Sequence, residues 1–213
     1  MEREDGRKNS QHRSISMEVG KNVVFSFGLT KVYAMLEYSA QLKKGITATV
    51  IMEENAFPSS VSKKRIERVV EEAQKAVESI FSNLLLDKEN SYRIVCKVLC
   101  DNGSLLSAII NSASLVLLAY KVPIKHLVFS ITVGLSQERH AEYVVDLNES
   151  EERTDMAYIT IATGAVEYDT IISYGSISKP ISEKAFLDLL EYSASTSKDI
   201  SKEIMEKAKQ CLA

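Results

Sequence analysis

The spacing of apolar residues changes abruptly at Phe57-Pro58-Ser59-Ser60, and that change limits the chain to few folds. Before it the pattern is that of strands. Residues 13–19 alternate polar and apolar side chains, the period of two that a half-buried strand needs. Val23–Phe27 is β-branched and aromatic, Gly28-Leu29-Thr30 supplies a turn, and residues 31–38 and 46–52 read as further strands. After it, Ile66, Val69, Val70, Ala73, Ala76, Val77, Ile80, Phe81 and Leu84 recur at steps of three and four. That is one face of a long helix, with Ser62 as its N-cap.

Residues 92–100 are predicted as a strand, and Asp101-Asn102-Gly103 turns the chain into a second helix over about 104–120. This helix is apolar nearly all round, so it is expected between two layers. Pro123 ends that unit. Strands are predicted over 126–133, 142–147, 156–162 and 167–174. A last helix is predicted over 182–212, capped by Ser182, with Ala185, Leu189, Tyr192, Ile200, Ile204 and Ala208 on its apolar face. The 193–197 stretch weakens its middle and permits a kink. No linker divides the chain, so residues 1–213 read as a single α+β domain of mixed sheets with packed helices, residues 1–12 forming an N-terminal arm. The order is not a regular βαβαβ alternation, which argues against a dinucleotide fold.

The 213 residues carry 26 Lys+Arg against 29 Asp+Glu, a net charge of -3, which excludes a binder that holds nucleic acid by bulk charge. With 45% hydrophobic and 26% charged residues, wholesale disorder is excluded too. Eight Gly and three Pro argue against glycine-rich phosphate cradles and Pro-rich linkers. The charged start has no apolar run of the secretory kind, and the longest apolar-leaning stretch, 105–120, is too short to span a bilayer, so no membrane association is expected. Cys96 and Cys100, four apart in a predicted strand, are expected on one face. With Cys211 and only His12, His126 and His140 beside them, they read as reduced packing cysteines of an intracellular protein, with no metal site.

Several short strings then fall in a recognisable order. Arg3-Glu4-Asp5-Gly6-Arg7 with Arg13-Ser14-Ile15 resembles the R-x-D-G-R…R-x-I opening of the ribonuclease PH family. Gly28-Leu29-Thr30-Lys31-Val32 resembles its G-x-T-K-V turn, and Asp101-Asn102-Gly103-Ser104 with Ala108-Ile109-Ile110-Asn111-Ser112-Ala113 its D-x-G-S…A-x-I-N-A-A segment. Val122-Pro123-Ile124 resembles its G-I-P turn, and Asp146-Leu147-Asn148 with Glu151-Glu152 its D-L-N…E-E/D stretch. The resemblance implies a ribonuclease PH-type domain related to the second domain of ribosomal protein S5, assembled into hexameric rings. Active members degrade RNA from the 3′ end with inorganic phosphate. Inactive relatives belong to the ring of the eukaryotic RNA exosome, beneath S1/KH cap subunits, in nucleus, nucleolus and cytoplasm.

The chemistry of that family requires phosphate donors and carboxylates. In active relatives the phosphate loop reads G-[ST]-R. Here Gly103 and Ser104 stand, but Leu105 occupies the Arg position and cannot donate, leaving a vestigial site in which Ser104 caps a strand-to-helix turn. The two family Asp positions match Glu152 and Asp155, across a shortened connection, as vestigial catalytic candidates or a solvated acidic loop. The D-G-S-A turn before Gly28 is replaced by Gly20-Lys21-Asn22, and the G-P after the K-V strand by Tyr38-Ser39-Ala40. Lys63, Lys64, Arg65 and Arg68 match the channel-facing basic residues that grip RNA; the competing reading is a solvated face with Lys63–Glu67 and Arg68–Glu72 pairs. Arg3, Arg7 and Arg13 are expected to contact RNA or neighbouring subunits. His126, Arg139 and His140 carry no distinct reading. The resulting expectation is a non-catalytic ring subunit without cofactor or metal. It would scaffold a hetero-hexamer with other ribonuclease PH-like subunits and thread single-stranded RNA. The alternative is an active phosphorolytic 3′→5′ exoribonuclease, using phosphate and Mg²⁺, whose phosphate site a partner subunit completes.

Overall fold

The computed structural model describes residues 3–38, 44–57, 62–136, 142–166 and 169–212. Strands β1 (Ile15–Val19), β2 (Val23–Phe27), β3 (Thr30–Tyr38) and β4 (Gly45–Met52) precede helix α1 (Lys63–Leu84). Strand β5 (Ser91–Cys100) and helix α2 (Leu105–Ala119) follow. Then come β6 (Val128–Ser136), β7 (Glu142–Val145), the short helix α3 (Glu149–Glu152), β8 (Ala157–Val166), β9 (Asp169–Ile177) and helix α4 (Glu183–Leu212). The first sheet runs β1-β2-β3-β5-β4 and the second β7-β6-β8-β9. All pairings are antiparallel except β4 with β5, where α1 is the crossover that a parallel pair needs.

The first sheet lays one face on α1 and α2, and the second sheet lies between α2 and α4. Helix α2 is therefore covered on all sides, as its all-round apolar pattern predicts. Its Ile109, Ile110, Ala113, Leu115, Val116 and Leu117 are fully buried. Its buried polar residues complete β6, which runs past the end of β7. Asn111 Nδ2–H donates to Ser130 O (3.0 Å), Ser130 N–H donates to Asn111 Oδ1 (2.7 Å), and Val128 N–H donates to Ser114 Oγ (3.2 Å). These side chains occupy the positions a further strand would take.

The predicted strand over 167–174 differs. β8 continues to Val166 and β9 begins at Asp169, residues 167 and 168 lying outside the described segments, as do Arg139 and His140. Helix α4 runs unbroken through the expected weak point, where Ser193 and Ser197 are buried with Leu189, Ile200 and Ile204 against the core, and its hydroxyls fold back onto the preceding turn. Ser193 Oγ–H donates to Leu189 O (2.6 Å), Thr196 to Tyr192 O (2.9 Å) and Ser201 to Ser197 O (2.6 Å). Cys96 and Cys100 do not share a face. Val32 pairs with Val98 but Lys31 with Cys100, so Leu99 is an extra residue that turns Cys100 to the exposed side beside Lys31 while Cys96 stays in the core.

Candidate functional site

Four of the strings that sequence reading singled out meet at one buried side chain. The Arg13 guanidinium forks onto Asp146, Nη2 to Oδ1 at 2.6 Å and Nε to Oδ2 at 2.9 Å, and its backbone N–H donates to Oδ2 at 2.7 Å. Nη2 also donates to Gly103 O (3.1 Å) and Leu147 O (3.2 Å). Thr30 Oγ1 donates to the same Gly103 O at 2.7 Å and accepts Asn102 N–H at 3.0 Å. Gly28 leaves room for the arginine: a Cβ there would lie 2.8 Å from Arg13 Cδ. Gly103 has φ +87°, and a Cβ would lie 2.4 Å from Leu147 O and Asn148 C.

A second clamp fixes the arm. Arg3 donates from Nε and Nη2 to Glu151 Oε1 and Oε2 at 2.7 and 2.8 Å, and to Val145 O and Asp146 O at 2.9 Å each. Glu151 closes a capping box with Asn148 at the start of α3. Arg7 donates to Asp5 Oδ2 (2.7 Å) and Asp146 O (3.1 Å). This corrects the expectation for these arginines. Arg3 and Arg13 are buried and spent on the chain's own carboxylates and carbonyls, because a guanidinium leaves water only where its donors are satisfied.

Between the head of α2, the end of α3 and the start of α1 lies a cleft of about 300 Å³, lined in part by Arg65, Asp101, Ser104, Leu105, Glu152 and Tyr158. Here the two N–H groups that lead into α2 are taken by carboxylates of the same chain. Gly103 N–H donates to Asp101 Oδ1 at 3.0 Å, and Ser104 N–H to Glu152 Oε1 at 2.7 Å. Ser104 occupies the N-cap position in left-handed backbone (φ 51°), but its hydroxyl does not cap; it donates to Leu147 O at 3.0 Å. Burial pushes the Glu152 carboxyl up to about 7, the Ser104 N–H opposing and the Asp101 charge adding to the rise. Burial likewise raises the Asp101 carboxyl.

The structure does not bring Glu152 and Asp155 together. Asp155 is fully exposed and bonded to Lys179 Nζ at 2.7 Å, which holds its carboxyl below the usual range. The pair therefore does not form a two-carboxylate metal site, and the carboxylates that line the cleft with Glu152 are Asp101 and Glu72. Sequence reading placed Asp101 in the D-x-G-S string but gave it no role in the site, and it missed Tyr158, which carried no signal. Lys63, Lys64, Arg65 and Arg68 are all exposed at the start of α1, below the Ser62 cap, and Arg65 alone of the four lines the cleft. None of them forms an ion pair among the described residues. The pair on this helix is Lys75–Glu71 at 2.6 Å, and Glu72 accepts instead from Ser176 Oγ at 3.1 Å. His126 stands outside the cleft, packed where Gly164 lacks a side chain.

Comparisons with known proteins match the sequence and the fold. The ribonuclease PH model, 3′ exoribonuclease family, domain 1, matches residues 11–123. A putative exosome complex component RRP41 of Caenorhabditis briggsae is 27% identical over 178 residues, 76% of this chain and 73% of that one. Its counterpart in Caenorhabditis elegans is 26% identical, over 75% and 72%. Rice (Oryza sativa) Rrp46 superposes with a TM-score of 0.80 at 17% identity, covering 97% of this chain and all of that one. An archaeal exosome core superposes at 0.69 and 18% identity, over 96% and 91%. The matched segment spans more than half of the sequence, and the chain belongs to the ribonuclease PH, or 3′ exoribonuclease, family.

Proposed function

We propose that this chain is a non-catalytic ribonuclease PH-like ring subunit of an RNA exosome, acting as scaffold and RNA guide. One observation carries the reading: the Gly103 and Ser104 N–H groups, the phosphate donors of the family loop, are bonded to Asp101 and Glu152. A phosphate there would meet two carboxylates rather than two free donors, and Leu105 supplies no cation. The cations at the start of α1, which form no ion pair among the described residues, support sequence-independent contact with an RNA backbone. The partners would be other ribonuclease PH-like subunits in a hetero-hexameric ring, S1/KH caps and single-stranded RNA, in nucleus, nucleolus and cytoplasm, with no cofactor.

The phosphorolytic alternative is favoured by Arg65, which brings a cation to the cleft wall facing Glu152 and Asp101. An assay separates the two. The full chain, alone and assembled with its ring partners, is given 3′-overhang RNA, Mg²⁺ and inorganic phosphate. No nucleoside diphosphate above background is expected. Phosphate-dependent release that Glu152→Ala abolishes would falsify the scaffold reading.

A further inference from the structure

A largely antiparallel sheet with one face on the core normally turns a polar second face to water. The first sheet departs from this. Val32, Ala34, Ile94, Cys96 and Val50 point into the core, where α1 and α2 lie. The register sets Val24, Tyr33, Lys97 and Ile51 in one row across the opposite face, with Met35, Val95 and Thr49 in the row beside it. Val24, Tyr33, Met35, Val95 and Ile51 pack against neither cluster of the core, and Ile51 is 39% exposed. Apolar side chains gathered on an open face mark a surface that binds something.

The charges on this face say what. Lys31 stands two residues before Tyr33 on β3, and Lys97 is the partner of Tyr33 on β5, so the tyrosine has a lysine on two sides. Neither lysine forms an ion pair among the described residues. The face's other charges are Arg93 and Glu37, which pair with each other at 3.4 Å, and Glu18 on the outermost strand. An apolar protein segment laid over this face would strip water from Lys97 without giving it a partner. A single nucleic-acid strand supplies both needs: a base stacks on the aromatic ring, and its phosphates meet the ammonium groups beside it.

We infer that the outer face of the first sheet, centred on Tyr33 with Lys31 and Lys97, is a second surface for single-stranded RNA. One base stacks on the Tyr33 ring and the neighbouring phosphates lie on the two ammonium groups. Helix α1, whose first turn carries the other cations, packs on the opposite face of the sheet. The inference rests on the proposed function only in that the chain meets RNA; it involves neither the cleft nor the scaffold role.

The test is fluorescence anisotropy of the purified full chain with a labelled oligouridine strand at several salt concentrations, with a melt of each variant. Tyr33→Ala is expected to weaken binding about 5- to 150-fold, the loss of one stacked base, and Tyr33→Phe to retain it. Lys31→Ala with Lys97→Ala is expected to lower the slope of log affinity against log salt by about 1.4. Lysine acetylation read by mass spectrometry should show both lysines shielded by the RNA. Affinity and slope unchanged in these variants overturn the inference; if Lys63→Ala with Lys64→Ala then abolishes binding, the α1 contact stands while this one falls. Shielding of Lys31 and Lys97 by ring partners without RNA makes the face a protein contact and also overturns it. No binding by the wild type removes this surface and the RNA-guide role together, and leaves the scaffold role to the phosphorolysis assay. If Tyr33→Ala fails to fold, the lysine variant decides alone.

Discussion

Arg13 holds Asp146 by a two-point fork while Asp146 sits in left-handed backbone at φ 54°. The pair joins the strand entry at the front of the chain to the segment that leads into α3, across 133 residues. It fixes Gly103 and Leu147 through their carbonyls, and those positions set where Ser104 and Glu152 meet. The family-like opening of the sequence is thus a structural clamp behind the cleft.

Removing the arginine takes the fork from a buried carboxylate and leaves only Arg7 Nη1, at 3.6 Å, as its cation; breaking such buried pairs costs about 3–5 kcal/mol. Arg13→Ala is expected to lose that much in denaturant unfolding. Arg13→Lys should recover part of it, since an ammonium restores charge but not the fork. Equal stability of Arg13→Ala and wild type would contradict the role given to this pair.

Glu152 makes stability fall as pH rises. Its folded pKa, about 7, lies above the ordinary 4.5, so between those values the folded chain binds more protons than the unfolded one. Unfolding free energy then declines across that window, by about 3 kcal/mol at most at 1.36 kcal/mol per unit. Asp101, shifted in the same direction, adds to the decline. Glu152→Gln keeps an acceptor for Ser104 N–H without the charge. It should therefore be more stable than wild type at pH 8, with the gain shrinking toward pH 5. A pH-independent difference in chemical unfolding would refute this.

The strands, the long helices and the buried position of α2 were legible because apolar period and length specify them over many residues. Ser62 as cap was legible because the following helix begins sharply. The bulge at Leu99 was not, since one extra residue leaves no mark on the alternation before it. The cleft was half legible. Leu105 could be compared with the family loop directly, but the bonding of Glu152 to Ser104 depends on a left-handed turn and on the Arg13–Asp146 clamp, which are long-range. Asp155 followed the same logic in reverse: its spacing from Glu152 suggested a pair, yet the chain after α3 turns it outward to Lys179.

Gly103 and Gly6 both have positive φ, at 87° and 73°, but only Gly103 has backbone within 2.4 Å of where a Cβ would sit. Gly6→Ala should cost about 1–2 kcal/mol, the left-handed penalty alone. Gly103→Ala adds a clash that no side-chain rotation can relieve, so it should exceed that clearly in equilibrium unfolding. Equal losses would mean that the turn yields around residue 148.

The cations at the start of α1 can be separated from the clamped arginines by salt. Each phosphate contact on a single strand contributes about 0.7 to the slope of log affinity against log salt. If Lys63 and Lys64 touch RNA in the assembled ring, the double change to Ala lowers the slope by about 1.4, with little effect on folding because both are exposed. Arg3→Ala should do the opposite: its guanidinium is buried on Glu151, so it lowers stability and leaves the slope unchanged in the folded fraction. RNA binding measured at several salt concentrations, with melts of each variant, checks both. A slope that Lys63→Ala with Lys64→Ala leaves intact would assign this helix end to solvent.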